Sequence, residues 1–340
     1  MKTLAVALTL SFALGASAQT PRDYDAEYHA LVQKAKDLAG LDHPGLLVSL
    51  CVESPRNRVN TNDTLPRYVT NPSAAPPRES WYDEPAKVFD NLYFVGGKIH
   101  NSWALTTSEG IILIDTIYPY NSEELVIGGL QKVGLDPKDI KYVVVSHAHG
   151  DHIGGAEMLQ TRYNAQVVMG GPDWDTVQSY PNRFKSMAPK KNITATDGMK
   201  LTLGDTTLNI WLSPGHTPGT LSYTFTAYDR GKPVHVVYSG GTSYNFPTVP
   251  AEIGIPQLDV YMASQKHIAE EAAKINATVL LSNHSAYDHA IYFNRMFAGR
   301  GDGPHPYELG TDVVQRYFQV MQSCAAAQKI LLEKEVAEGK

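Results

Sequence analysis

The chain has 340 residues, 43% hydrophobic and 19% charged, which is ample for a buried core and excludes a wholly disordered polypeptide. Lys and Arg number 29 against 35 Asp and Glu, a net charge of −6, and no basic block occurs. A phosphate-neutralising groove for nucleic acid and a polybasic membrane-binding surface are therefore not expected.

The chain opens with Lys2, an apolar run over residues 4–14 and the small residues Ala16-Ser17-Ala18. These are the three parts of a secretory leader, with residues 1–18 predicted to be removed. Its loss takes away only Lys2 and leaves a charge of −7. No later run approaches the ~18 apolar residues of a membrane span. The mature chain is expected to be secreted or periplasmic, without membrane insertion, and a monomer.

Residues 23–38 carry Tyr24, Tyr28, Leu31, Ala35 and Leu38 at helical spacing, with Gly40 at the stop. Residues 46–52 read as one strand. Residues 53–85 hold six prolines and read as an extended connector. Residues 19–85 are thus an N-terminal extension, and 86–340 form the main domain, C-terminal helix included.

Within that domain short strands are predicted at 87–89, 92–96, 103–107 and 111–115, then a helix at 121–133 and an apolar strand at 142–145. A helix at 153–163 and a strand at 166–169 follow. Strands at 199–203, 206–212, 221–226 and 234–238 come next, then a helix from Pro256 to Ile275, a strand at 278–281 and a long helix at 309–335. Strand meanders followed by strand–helix alternation, twice over, fit an α/β (α+β) chain with two sheets face to face and helices outside.

Two cysteines, Cys51 and Cys324, lie far apart. An even count in an exported chain predicts that they pair, although sequence supplies no distance between them.

The chemistry concentrates in Ser146-His147-Ala148-His149-Gly150-Asp151-His152, directly after an apolar strand. Three imidazoles and a carboxylate within six residues are donors suited to zinc. His216, in Pro214-Gly215-His216-Thr217-Pro218-Gly219, and His284, in Ser282-Asn283-His284-Ser285, also follow predicted strands. No G-x-S-x-G occurs, so a serine hydrolase is unsupported.

This pattern resembles the metallo-β-lactamase superfamily, and the resemblance extends to residues 89–96 and 102–115. It implies a four-layer αββα sandwich. The ligand set is most similar to subclass B3. That similarity implies one zinc on His147, His149 and His216 and a second on Asp151, His152 and His284. Related lactonases carry a bridging Asp, and B1 enzymes a Cys, where this chain has Gly241. Asp115 and Thr217 are the expected supports of the ligands. Ser243, His100 and Tyr244 are candidate substrate contacts.

The implied function is a dizinc hydrolase in which a metal-activated water, oriented by Asp151, opens a small cyclic amide, with a β-lactam and hence antibiotic resistance favoured. The alternatives are a lactone, ester or thioester on the same metals, or a metal-binding protein without turnover. Sequons at Asn62, Asn192, Asn276 and Asn283 leave periplasm and extracellular space both open.

Overall fold

The structure is a computed structural model describing residues 22–52, 62–244 and 250–339. The expected leader lies outside those residues. Seven strands form the first sheet in sequential order: β1 (Ala86–Lys87), β2 (Leu92–Phe94), β3 (Trp103–Thr107), β4 (Gly110–Ile114), β5 (Ile140–Val144), β6 (Gln166–Gly170) and β7 (Ile193–Ala195). The first four run antiparallel, and β4 to β7 are parallel. The second sheet has the order β12 (Val279–Ser282), β11 (Lys232–Ser239), β10 (Leu221–Asp229), β9 (Thr206–Leu212) and β8 (Met199–Leu203), with only β11 and β12 parallel.

The period-two alternation of strands separates three cores. Ile112, Ile114, Val144 and Val168 face inward and meet Ile210, Tyr223, Val236, Tyr238 and Leu281 of the other sheet. Their neighbours Ile111, Leu113, Val143, Val145 and Val167 face outward onto Leu125, Ile153, Leu159 and Trp174 of the first helical layer. On the far side Val237 and Leu280 pack on the helices Ala251–Lys274 and Thr311–Ala337. These layers make the four-layer αββα sandwich.

The extension continues the outer helical layer. Its helix Tyr24–Ala39 buries Ala35 and Ala39 in the same cluster as Val314, Tyr317 and Met321 of the C-terminal helix. Arg316 donates to the Leu38 carbonyl at 2.8 Å and pairs with Asp42 at 2.6 Å. Cys51 and Cys324 are joined in a disulfide with a Cα–Cα separation of 4.8 Å.

Several local expectations are corrected. Residues 46–52 are not a strand. Leu47–Val52 forms wide helical turns that bury Leu50 and Cys51, together with Leu46, against the C-terminal helix. A short apolar run fits strand or buried helix equally, and this one belongs to neither sheet. The helix placed after Pro256 already begins at Ala251 and carries the proline inside it. Near a helix start, the ring costs only one carbonyl its usual partner. The helix expected at 121–133 is wide-turned over Glu123–Ile127 and regular only over Gly128–Lys132. The expected extended connector holds helical turns at Arg67–Thr70, Pro72–Ala74 and Arg78–Trp81. The helices Gly171–Ser179, Ser285–Asp288 and Ala290–Ala298 and the edge strand β7 are further elements that the sequence pattern does not reveal.

Candidate metal centre

β4, β5, β9, β11 and β12 all end at one rim of the sandwich, and the histidines stand in the loops that follow. After β5, Ser146 is pinned from two sides: its N–H donates to Asp115 Oδ1 at 2.6 Å, and its carbonyl accepts from Leu221 N at 2.8 Å. His149 N then donates to the His147 carbonyl at 3.0 Å, and the short helix Gly150–Ile153 begins. This turn brings the four polar side chains of the motif into one cluster.

Two groups of donors result. In the first, His147 Nε2 and His216 Nε2 each lie 3.1 Å from His149 Nδ1. His147 Nδ1 donates to the Gly240 carbonyl at 2.8 Å, and His216 Nδ1 donates to the Ser243 carbonyl. Those bonds leave both Nε2 atoms as lone pairs facing His149 Nδ1, which can offer a proton to only one of them. Convergent lone pairs fit a cation better than each other. Zinc with 2.0–2.1 Å bonds would separate tetrahedral donors by about 3.3 Å, close to what is found. Burial keeps all three rings neutral: it lowers His149 to about 3, His216 to about 4 and His147 well below the usual imidazole range. Neutral imidazole is the form a metal binds.

The second group surrounds Asp151 Oδ2. His152 Nε2 stands 3.2 Å from it, His100 Nε2 3.4 Å and His284 Nε2 3.5 Å. Burial opposes ionisation of Asp151, but His152, His100 and His284 outweigh it and hold the carboxyl well below its normal range. For His152 burial is again outweighed, and Asp151 with Asp115 raises it to about 10. Both nitrogens of its ring are buried, within 3.2 Å of carboxylate oxygens yet outside hydrogen-bond geometry, which also suits a ring set for a metal bond.

Asp115 adopts a left-handed backbone, φ 59°, as does Ile117 at φ 52°. Such conformations cost roughly 1–3 kcal/mol each and gather at functional sites. The strained turn places Asp115 Oδ2 at 3.1 Å from His152 Nδ1, where it also accepts from Ser146 Oγ at 2.7 Å and Tyr238 OH at 3.0 Å. Thr217 supports its loop rather than a ring: its Oγ1 donates to Asp173 Oδ2 at 2.8 Å. Asp173 also accepts from Ala148 N at 2.7 Å and Gly219 N at 3.0 Å, so one carboxylate clamps both loops of the three-histidine group. Burial raises Asp173 to about 6 against those three bonds. Asp288 has the matching role under the second group, accepting from Ser282 N, Asn101 Nδ2 and Ala290 N. Neither carboxylate was legible, because each depends on a fold contact distant in sequence or on a helix that went unread.

Gly240 and Gly241 are required by close approach. A Cβ on Gly241 would stand 2.6 Å from His216 Cβ and 2.7 Å from Thr220 Cγ2, and one on Gly240 only 1.7 Å from the Leu221 carbonyl oxygen. The absence of a bridging carboxylate here is thus built into the packing.

A cavity of about 170 Å³ opens on the donors, lined by His149, Asp151, His216, Thr242, Ser243, Asn283, His284 and Tyr287. Ser243 lines it as expected. Tyr244 does not: it is fully buried against Tyr261, with its hydroxyl donating to the Leu50 carbonyl. Apolar packing of the adjacent helix Ala251–Lys274 draws the ring inward. His100 packs edge-on to Tyr118, which stacks with Tyr120, and Tyr68 of the extension closes that aromatic wall. Arg183, missed in the sequence because its segment reads as a loop, brings its guanidinium into electrostatic reach of Asp151, Tyr118 and Tyr68; its own pKa is lowered by burial. The sequon residue Asn283 is 1% exposed and donates to the Gly240 carbonyl at 2.7 Å, which leaves no room for a glycan.

The sequence model of the metallo-beta-lactamase superfamily matches residues 95–280. An N-acyl homoserine lactonase of a Bacillus species is 24% identical over 196 residues, spanning 51% of this chain and 76% of that protein. Among solved structures, BJP-1, a subclass B3 metallo-beta-lactamase of Bradyrhizobium japonicum, superposes with a TM-score of 0.59 at 25% identity, covering 76% of this chain and 97% of its own. The metallo-beta-lactamase GOB-18 from Elizabethkingia meningoseptica gives 0.59 at 22% identity, covering 82% and 100%.

Proposed function

Because this chain belongs to the metallo-beta-lactamase superfamily of hydrolases, we propose that it is an exported dizinc hydrolase that opens a small cyclic amide of the β-lactam type. The observation that carries this reading is the pair of convergent donor groups, with Gly241 packed too closely on His216 and Thr220 to carry a side chain without a shift. His147, His149 and His216 would hold one zinc, and Asp151, His152 and His284 the other. Zinc supplies a Lewis acid for a carbonyl oxygen and brings the ionisation of a coordinated water towards neutrality.

The protein's own groups supply the rest. The first three imidazoles are neutral and hold no net charge, so the full cation charge would be felt in the cavity. Asp151 belongs to the second group with its carboxylate ionised, where it could orient a water and accept its proton. Asp115 and Asp173 hold the donor loops in register. Ser243 lines the cavity and could meet a substrate carboxylate, with the positive charge of Arg183 in electrostatic reach of Asp151 and the Tyr68, Tyr118 and Tyr120 rings packed beside His100. The disulfide supports an oxidising compartment, as the leader-like first 18 residues do.

A lactone is the second reading, favoured by the lactonase relatives. A side-by-side assay of a cephalosporin, a carbapenem, an acyl-homoserine lactone and an aryl ester on zinc-loaded protein separates the two. The first reading expects kcat/KM near ~10⁴ M⁻¹s⁻¹ or above on a lactam. Turnover of the lactone or ester at that level, with both lactams orders of magnitude lower, overturns it.

A further inference from the structure

We propose that His100 is a fourth protein ligand of the Asp151 site, so that this site is closed by side chains while the three-histidine site keeps an open position. The proposal rests on the dizinc reading above and deepens it. His100 Nε2 approaches Asp151 Oδ2 to 3.4 Å, as closely as His284 Nε2 does at 3.5 Å. Donor atoms of His100, Asp151 and His284 all lie within 4.8 Å of one another. His152 Nε2 stands 3.2 Å from the same oxygen, so each of the three imidazoles lies near the ~3.3 Å edge of a tetrahedral zinc site from Asp151 Oδ2.

The backbone holds His100 there. Residues 100 and 284 form an antiparallel bridge, with Asn101 N donating to the Asn283 carbonyl at 2.9 Å and Ser285 N to the Ile99 carbonyl at 3.0 Å. Asn101 then ties the bridge to buried Asp288 and to the Ser282 carbonyl, both at 2.9 Å, and accepts from Ser285 Oγ at 2.8 Å. The loop before it is too tight for a side chain at Gly96, whose Cβ would lie 2.6 Å from Ser102 N and 2.8 Å from the His100 carbonyl oxygen. Tyr118 packs edge-on against the ring at 5.0 Å. A residue that merely touched substrate would need no bridge to a metal-site histidine. Four protein donors make a closed site of the structural kind, whereas three leave a position for water or substrate. The metal beside Asp151 is therefore the tighter one, and the three-histidine metal is the first to leave under chelation.

The test is metal affinity by competition with a chromophoric chelator on the full mature chain, for wild type, His100→Ala, His147→Ala and His284→Ala. Loss of an outer-shell partner costs 10–100-fold in affinity, so loss of a direct ligand in His100→Ala should weaken one site by about 100-fold or more. The other site should stay within about threefold. A second measurement guards against misfolding: X-ray absorption of His147→Ala loaded with one equivalent of zinc should show three imidazoles, and the His100→Ala/His147→Ala double variant two. Two imidazoles in the single variant, or unchanged affinities at both sites in His100→Ala, overturn the proposal. If instead His147→Ala and His284→Ala also bind like wild type, it is the dizinc reading that has failed.

Discussion

Asp115 Oδ2 lies 3.1 Å from Nδ1 of His152, and both side chains are completely sealed from solvent. The carboxylate fixes which ring nitrogen faces Asp151 and adds basicity to it, the role outer-shell carboxylates play for metal-bound imidazoles. Asp115→Asn should therefore weaken metal binding at the Asp151 site by about 10–100-fold while leaving the three-histidine site nearly unchanged. Chelator competition reads both constants. Equal weakening of both sites would mean that Asp115 acts through general packing.

Gly241 makes an opposite kind of prediction. A bridging carboxylate cannot be installed there, because even the Cβ of Gly241→Ala meets His216 Cβ at 2.6 Å and Thr220 Cγ2 at 2.7 Å. Gly241→Ala should lose about 1–3 kcal/mol of stability through overpacking, and Gly241→Asp more. The thermal midpoint should also gain less from added zinc than wild type does. An undiminished zinc-dependent gain in Gly241→Asp would show that the loop can retreat.

How far the site was legible follows from its layout. His147, His149, Asp151 and His152 sit in one short motif and could be grouped by spacing. His216 and His284 could be found because each follows an apolar strand, and strand ends share a rim. His100 also follows a strand, β2, but it stands alone in its loop, and only the fold shows its bridge to His284. Asp173 and Asp288 depend on contacts to loops read separately. Tyr244 looked available because it follows Ser243, and packing against Tyr261 turned it away. The sandwich itself was readable from alternating apolar residues such as 111–114, while 46–52 failed because a short apolar run has no period to distinguish turn from strand.

Asp288 gives the fold a pH dependence. Burial raises it from 3.8 to about 7, against the bonds from Ser282, Ala290 and Asn101. A carboxyl raised on folding keeps a proton that the unfolded chain releases. Its contribution to stability is complete below about pH 4 and is lost as pH rises through 7. Urea unfolding of wild type and Asp288→Asn at pH 5 and pH 8 checks this. The stability of wild type relative to the variant should be greater at pH 5. An equal difference at both values would show that Asp288 does not titrate in that window.

The Cys51–Cys324 bridge spans 273 residues of sequence and ties the extension to the C-terminal helix. In the chain-entropy account so long a loop gives an upper bound of about 5.6 kcal/mol. Thiol titration of the unreduced, denatured protein should find no reactive thiol. Cys51→Ser/Cys324→Ser should melt well below wild type; an unchanged melting temperature would leave the bridge without a stabilising role.

Zinc content per chain distinguishes a two-metal centre from a one-metal centre. Two zinc ions are expected in the purified mature protein, one in His147→Ala and one in His284→Ala, with the remaining ion held at different affinity in the two variants. A single zinc in wild type, unchanged in His284→Ala, would contradict the two-metal reading.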